Sequence, residues 1–380
     1  MKKGNAQTNL LEHSEAKVKL YGIYLSAYLS VLSKVSSVKK VFLFDILCGE
    51  GIYENGEKGS PIIALDVLSQ HYSVQKNTRP NLEVLFNDLE NSQIEKGLSK
   101  IDRVKRFSQK YSFPQSVKIN FSQKDYDEIL PQLIKRVNNQ EKSKALFFID
   151  PYGYKDIKPS DLKDILASGD TEILLFLPIA HMYRFVIPAL QKKTSGSEPL
   201  RQFILELFGS GIPNFQSVYD FIRELKNHFR DYLSTHEIKV DTFTIERDTS
   251  NIYCLFFFTS SIRGYEKMLE TKWRIDPTSG KGFTKEKTLS FLNEAEISGY
   301  AKNLENYILE SNHRTNQEIF NFGLEYGFLP KHSKKVLEKL EKNHIGFEIF
   351  SLDNQAIRRS AMYLGDRTRK VGIRIKKTLF

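Results

Sequence analysis

An α/β fold built on a mostly parallel, seven-stranded sheet, followed by a smaller α+β module, is what this sequence predicts. Three observations predict it. Five short apolar runs, VFLFDIL (41–47), LEVLFND (82–88), SVKINFSQKDY (116–126), ALFFIDPYG (145–153) and TEILLFLP (171–178), alternate with segments of helical periodicity. Aspartates stand at or just beyond the ends of the first four: Asp45, Asp88, Asp125 and Asp150. Past residue 300 the chain changes character, to short amphipathic helices, a strand and a basic tail. Apolar strands joined by helices form a parallel sheet covered on both faces. Such sheets bind ligands at the carboxyl ends of their strands.

The elements follow in order. Residues 15–33 place apolar side chains at helical spacing and predict a helix before the first strand. SPIIALDVLSQHY (60–72) predicts a helix with Ser60 as N-cap and Pro61 in its first turn. Polar helices are expected over about 91–109 and 126–138, and Pro159 and Ser160 open another. Residues 181–235 hold three helix-like segments and exceed a single crossover, so they read as a helical insertion. EIKVDTFTIE (237–246) and NIYCLFFFTS (251–260), joined by the turn RDTS, predict an antiparallel pair that closes the sheet. MLETKWRIDPTSGKGF (268–283) reads as a loop-rich link. Three short helices at 304–311, 316–327 and 333–343 and a strand at 345–350 suggest a winged helix-turn-helix. The expected domains are 1–285 and 296–380.

The 380 residues are 40% hydrophobic and carry a formal charge of +10, which favours an acidic partner such as DNA or RNA. Two cysteines, Cys48 and Cys254, exclude a disulfide framework and offer no metal-ligand spacing. The N-terminus lacks a signal-peptide core, and no stretch has the apolar length of a membrane span, so a soluble, cytoplasmic protein is expected.

The turn FDILCGEGIY (44–53) bears most on function. Gly49 and Gly51 allow close approach of a ligand to the backbone just where the first strand ends. The dinucleotide fingerprint and the Walker pattern are both absent, which ranks a nicotinamide-dependent oxidoreductase low. A nucleoside cofactor without phosphates, S-adenosylmethionine, fits better. Asp45, Gly49 and Gly51 would hold its methionine part, Asp88 its ribose hydroxyls and Asp125 its adenine amino group. This makes the fold a Rossmann-like methyltransferase. Cys48 reads as a packing residue, since no histidine stands near it in sequence to activate it.

Asp150-Pro151-Tyr152-Gly153 is the candidate catalytic segment. An acid and a backbone carbonyl there can accept hydrogen bonds from a substrate amine and aim its lone pair at a methyl donor. Tyr152 can stack on a flat base. The segment is similar to the D-P-P-Y signature of methyltransferases acting on exocyclic amines of nucleobases, with Tyr152 in place of the second proline and Gly153 in place of the aromatic. Methylation of cytosine C5 is disfavoured, because no Pro-Cys dipeptide exists to supply its nucleophile. His181, Tyr183 and Arg184, just after the fifth strand, are candidate substrate contacts. In the tail, Arg358, Arg359, Arg367, Arg369 and Lys370 are candidate nucleic-acid contacts.

HSEAKVKLYGIYLSAYL, FLFDILCGEGIY, KGSPIIALDVL and LFFIDPYG together resemble the three-Cys-motif partner family, TcmP. The resemblance runs over roughly 13–285 and includes YCLFFFTSSIRGYEKMLETKWRID. Gly59-Ser60-Pro61 and Asp-Pro-aromatic-Gly are its more specific parts, while Leu47 and Cys48 stand where Phe and Ala are usual. The resemblance implies a methyltransferase-like fold and a partner encoded nearby, a small protein with a three-cysteine, radical-SAM-like motif. Two functional readings follow. One is a methyltransferase acting on a nucleic acid or nucleotide. The other is a non-catalytic protein of the same fold that binds nucleic acid or docks the partner through its C-terminal module.

Overall fold

The computed structural model describes residues 12–74, 80–151, 153–154, 157–191, 196–209, 211, 214–234, 237–248, 250–284, 290–343, 346–358, 360–366 and 368–376. The chain divides into two compact units: 1–271 with 281–285, and 272–280 with 286–380.

The first unit has the Rossmann-like α/β architecture. Its strands are β1 (Lys40–Asp45), β2 (Asn81–Asn87), β3 (Val117–Ser122), β4 (Ser143–Ile149), β5 (Thr171–Leu177), β6 (Lys239–Asp248), β7 (Asn251–Thr259) and β8 (Gly282–Thr284). They form one sheet in the order β3-β2-β1-β4-β5-β7-β6-β8. β3 to β5 run parallel, and β7 is antiparallel to both β5 and β6. The short β8 pairs parallel with β6 and makes eight strands where seven were expected. Strand order reverses between β1 and β4, and the crevice above such a switch point is where this architecture takes ligands.

α1 (Glu12–Leu32) lies on the sheet, with Tyr21 stacked on Phe148 of β4 at 4.3 Å and Tyr24 edge-on to Phe257 of β7 at 5.0 Å. α2 (Ser60–Val74) has Ser60 as its first residue and not as the expected N-cap, because the amide of Ile63 bonds to the carbonyl of Gly59. α3 (Lys100–Ser108) is much shorter than the helix expected over 91–109. The preceding residues are held as a loop by their own polar side chains. The Ser92 hydroxyl accepts from the amides of Ile94 and Glu95, and Ser99 and Asp102 form a capping box that starts the helix. α4 (Tyr126–Asn138) and α5 (Pro159–Leu166) complete the crossovers.

α6 (Ile179–Gln191), α7 (Glu198–Phe208) and α8 (Val218–Tyr232) form the helical insertion, and it is core. Phe203, Phe221 and Phe229 are fully buried, and Phe229 packs edge-on against Phe256 and Phe258 of β7. α9 (Ile262–Ile275) corrects the loop expected from residue 268. Tyr265, Met268, Leu269 and Trp273 recur at helical spacing and all are buried, which outweighs the local charge. No described helix is long and apolar enough to cross a membrane.

The second unit has α10 (Ser290–Leu309), β9 (Arg314–Thr315), α11 (Asn316–Glu325), α12 (Pro330–Asn343), β10 (Phe347–Ser351) and β11 (Val371–Ile375). Its small antiparallel sheet has the order β10-β11-β9. β11 lies in what reads from sequence as a basic tail, yet Val371, Ile373 and Ile375 are buried. The buried Asn316 side chain donates to the carbonyls of Tyr363, Asp366 and Arg369 and accepts from the amide of Val371, which organises the loop before that strand.

Candidate functional site

Register brings three of the four predicted carboxylates together. Asp45 ends β1 level with Phe86 of β2 and Phe148 of β4. Asp88 and Asp150 therefore each stand two residues beyond it on its two flanks. Asp45 is fully buried, and neither of its carboxyl oxygens has a hydrogen-bond partner. Burial pushes its pKa well above the usual carboxylate range, and the charges of Asp150 and Asp88 push the same way. Lys17 and the Ser60 hydroxyl favour the charged form, the latter without reaching hydrogen-bond geometry. The Tyr21 hydroxyl is likewise buried without a partner, and burial followed by the Asp45 charge raises its pKa. Burial also raises the Cys48 thiol, reinforced by Asp45 and Asp88, which keeps it protonated and fits its reading as a packing residue.

The glycine turn is held from behind. Gly49 and Gly51 have φ of +70° and +79°, a region in which a side chain is strained. Glu50 between them is fully buried. Its carboxylate accepts from the Ser92 hydroxyl at 2.8 Å and the Gln93 amide at 2.7 Å, and pairs with Arg103 of α3 at 2.5 Å. The same guanidinium donates to the carbonyls of Glu50 at 3.1 Å and Ile52 at 2.9 Å. Asp88 grips the other side of the turn: its carboxylate accepts from the amide of Gly49 at 2.9 Å and that of Glu90 at 3.0 Å. Burial raises the pKa of Asp88, opposed by the Lys100 ammonium 3.7 Å away and by those two amides. Asn87 donates to the carbonyls of Ile46 and Lys124 and accepts from the Lys124 amide, tying the ends of β1 and β2 to the chain beyond β3.

The remaining predicted residues are placed as follows. Asp125 is exposed and caps α4 by accepting from the Asp127 amide at 2.9 Å. Asp150 is partly exposed and forms an ion pair of 2.5 Å with Lys17 of α1, whose ammonium also lies 4.9 Å from the centre of the Phe176 ring. Pro151 is buried, and Tyr152 lies outside the described residues. His181 is exposed near the rings of Tyr154 and Phe185, and partial desolvation, then the charge of Arg184, lower its pKa. Tyr183 leans on Phe221 of the insertion, and Arg184 is exposed. In the second unit Arg358 and Lys370 are exposed, whereas Arg369 donates to the carbonyl of Ala356. Arg359 and Arg367 lie outside the described residues.

Lys17, Tyr21, Glu50 and Arg103 are site residues that reasoning from sequence missed. Lys17 and Tyr21 are one helical turn apart, so they share a face of α1. Arg103 lies between Ile101 and Val104 on a helix whose buried face includes all three.

No family model matches the chain, and no curated protein matches it. Some solved structures are similar to the chain over part of its length. One is Trm1 from Pyrococcus horikoshii in complex with S-adenosyl-L-methionine, at 13% identity and a TM-score of 0.37 over 67% of this chain. The match spans 58% of the length of that Trm1 chain. Another is protein LPL1258 from Legionella pneumophila, of the DUF519 family, at 12% identity and a TM-score of 0.39 over 71% of this chain and 94% of that one. A third, SCL7 of Oryza sativa, has 9% identity and a TM-score of 0.29, over 64% of this chain and 83% of its own.

Proposed function

We propose that the first unit is an S-adenosylmethionine-dependent methyltransferase acting on a nucleic acid or a nucleotide. Asp45 carries this reading. A fully buried carboxyl group without a hydrogen-bond partner is unfavourable in a folded protein and is relieved by a ligand that brings donors. S-adenosylmethionine brings an ammonium and a sulfonium and no phosphate, which suits a glycine turn without a phosphate fingerprint. When bound it supplies an electrophilic methyl group.

This chain's residues would divide the work. Asp45 would accept from the ammonium, and the backbone of Gly49 and Gly51 would face the methionine part. A carboxylate has about four acceptor positions. The two amides on Asp88 therefore leave room for ribose hydroxyls. The Asp125 oxygen not used in capping would serve the adenine amino group. Asp150 and its backbone carbonyl would hold a substrate amine with its lone pair towards the methyl group, and Pro151 stiffens that segment.

Calorimetric titration with S-adenosylmethionine and S-adenosylhomocysteine tests the cofactor assignment. Micromolar binding to the wild type, weakened at least tenfold in Asp45→Asn and Asp88→Ala, supports it; folded wild type that binds neither compound overturns it. Asp150→Ala should bind the cofactor normally and transfer no labelled methyl group to oligonucleotides, and retained transfer would remove Asp150 from its role. The ion pair of Asp150 with Lys17 favours a second reading, in which the carboxylate is structural and the fold docks a partner, the three-Cys-motif protein that the family resemblance implies. Co-purification of that protein with Asp150→Ala as well as wild type, with no methyl transfer by either, would support it.

A further inference from the structure

The second unit contains a column of stacked rings that ends in solvent. Arg314 lies over the Tyr307 ring, 3.9 Å from its centre. Tyr307 stacks on Phe322 at 4.3 Å with planes 16° apart, and Phe322 stacks on Tyr326 at 4.5 Å with planes 29° apart. Tyr300 flanks both of the last two rings. The column is thus closed at one end by a guanidinium and fixed along its length by packing. Tyr326, its last member, is 47% exposed although one face lies on Phe322. Tyr326 is therefore a positioned aromatic residue with nearly half of its surface in solvent.

The helix that follows it in the chain is basic. Tyr326 occupies the C-cap of α11, in the short turn that leads into α12. α12 exposes Lys331, Lys334, Lys335, Lys339 and Lys342. Two exposed acids interrupt this set, Glu325 and Glu338, and Glu338 is paired with Lys334 at 3.7 Å. A preset, exposed aromatic residue followed directly in the chain by a lysine-bearing helix suits a polyanion that carries flat, apolar rings.

We propose that Tyr326 is a stacking platform for an unpaired nucleobase, with the lysines of α12 receiving the flanking phosphates. Every base has a π-face, so such a platform tolerates sequence while requiring the base to be out of a duplex. RNA and single-stranded DNA share this chemistry. The proposal rests on the nucleic-acid part of the reading above and does not depend on the cofactor.

The test is fluorescence anisotropy of the full-length protein with a labelled mixed-sequence 12-mer, as RNA, as single-stranded DNA and as a duplex. Tyr326→Ala should weaken binding of the single strands by about 5- to 100-fold, and Tyr326→Phe should keep it. Tyr326→Trp adds an exposed indole to a chain whose single natural tryptophan, Trp273, is buried, so base stacking should quench its emission. Changing Lys331, Lys334 and Lys335 together to Gln should reduce the salt slope by about 2. Wild-type affinity in Tyr326→Ala overturns the platform alone. Equal loss on the duplex overturns the commitment to an unpaired base. Failure of the wild type to bind any 12-mer overturns both the platform and the nucleic-acid reading, while the cofactor titration remains an independent result.

Discussion

Glu172→Gln should stabilise the protein in a pH-dependent way. Glu172, the second residue of β5, lies at the opposite ends of the central strands from Asp45. It is buried, and its carboxyl accepts from the hydroxyls of Tyr24 of α1 and Thr259 of β7. Burial raises its pKa from 4.5 to about 7, against those two hydrogen bonds and the nearby Lys144, all of which favour the charged form. An increase of that size corresponds to roughly 3 kcal/mol. The sign is that of an acid raised on folding. Below pH 4.5 the group is protonated in both states and carries no penalty. Between pH 4.5 and about 7 the unfolded chain ionises while the folded chain resists, so stability falls by about 1.4 kcal/mol per pH unit. Above that window both states are ionised and the full penalty of roughly 3 kcal/mol persists.

An amide does not titrate, and it matches the carboxyl in shape. One of the two facing hydroxyls must turn from donor to acceptor, which either can do. The measurement is urea unfolding of wild type and Glu172→Gln at pH 4 and pH 8. The variant should be within about 1 kcal/mol of wild type at pH 4 and should gain roughly 3 kcal/mol relative to it by pH 8. Other titrating groups cancel in this comparison. A difference between the two proteins that is the same at both pH values would refute the reasoning, because it would mean that Glu172 has the same pKa folded and unfolded.

Further outcomes follow from contacts around Glu50 and Gly264. Arg103→Ala leaves the fully buried Glu50 carboxylate with only the Ser92 hydroxyl and the Gln93 amide, and should lower unfolding free energy by about 3–5 kcal/mol in the same assay. Arg103→Lys should not restore it, since one ammonium cannot reproduce the planar fork that holds Glu50 and the Ile52 carbonyl together. A methyl group at Gly264 would stand 2.0 Å from Glu172 Oε1, so Gly264→Ala should destabilise the wild type by more than about 2 kcal/mol. In a Glu172→Ala background the same change should cost much less, since only the Thr259 hydroxyl at 3.1 Å still crowds the methyl group, and additivity of the two changes would show that Gly264 and Glu172 do not touch.

The sheet was legible in the sequence because buried parallel strands are apolar from end to end. VFLFD, LEVLFN and ALFFI need no partner to be recognised, and the aspartates that follow them mark the strand ends. The carboxylate cluster was legible for the same reason: alternation of strand and helix places consecutive strand ends along one rim. What surrounds those carboxylates was not legible. Glu50 reads as a charge in a glycine turn, and only the fold shows that it faces Arg103, 53 residues later. The short α3 was lost for a related reason, since helical composition over 91–109 is overruled by side chains that bond their own backbone. β11 was hidden by charge, because its apolar residues alternate through a run of arginine and lysine and pair with a strand some 20 residues earlier.

α1 links the carboxylate cluster to the opposite ends of the central strands. Lys17 meets Asp150 beyond the end of β4, Tyr21 covers Phe148, and Tyr24 and Tyr28 reach Glu172 and its surroundings near the start of β5. These residues follow one another at intervals of three or four, so a single helical face touches both ends of the central strands. The face is anchored at its far end by the Tyr24–Glu172 bond and reaches the carboxylate cluster at its near end with a lysine and an unpartnered tyrosine hydroxyl. Any rotation of α1 about its axis would therefore withdraw Lys17 from Asp150 and Tyr21 from the neighbourhood of Asp45 together. A helix fixed in this way, with three buried tyrosines and a half-buried ion pair on one face, holds the candidate catalytic carboxylate and the candidate cofactor carboxylate in one electrostatic environment.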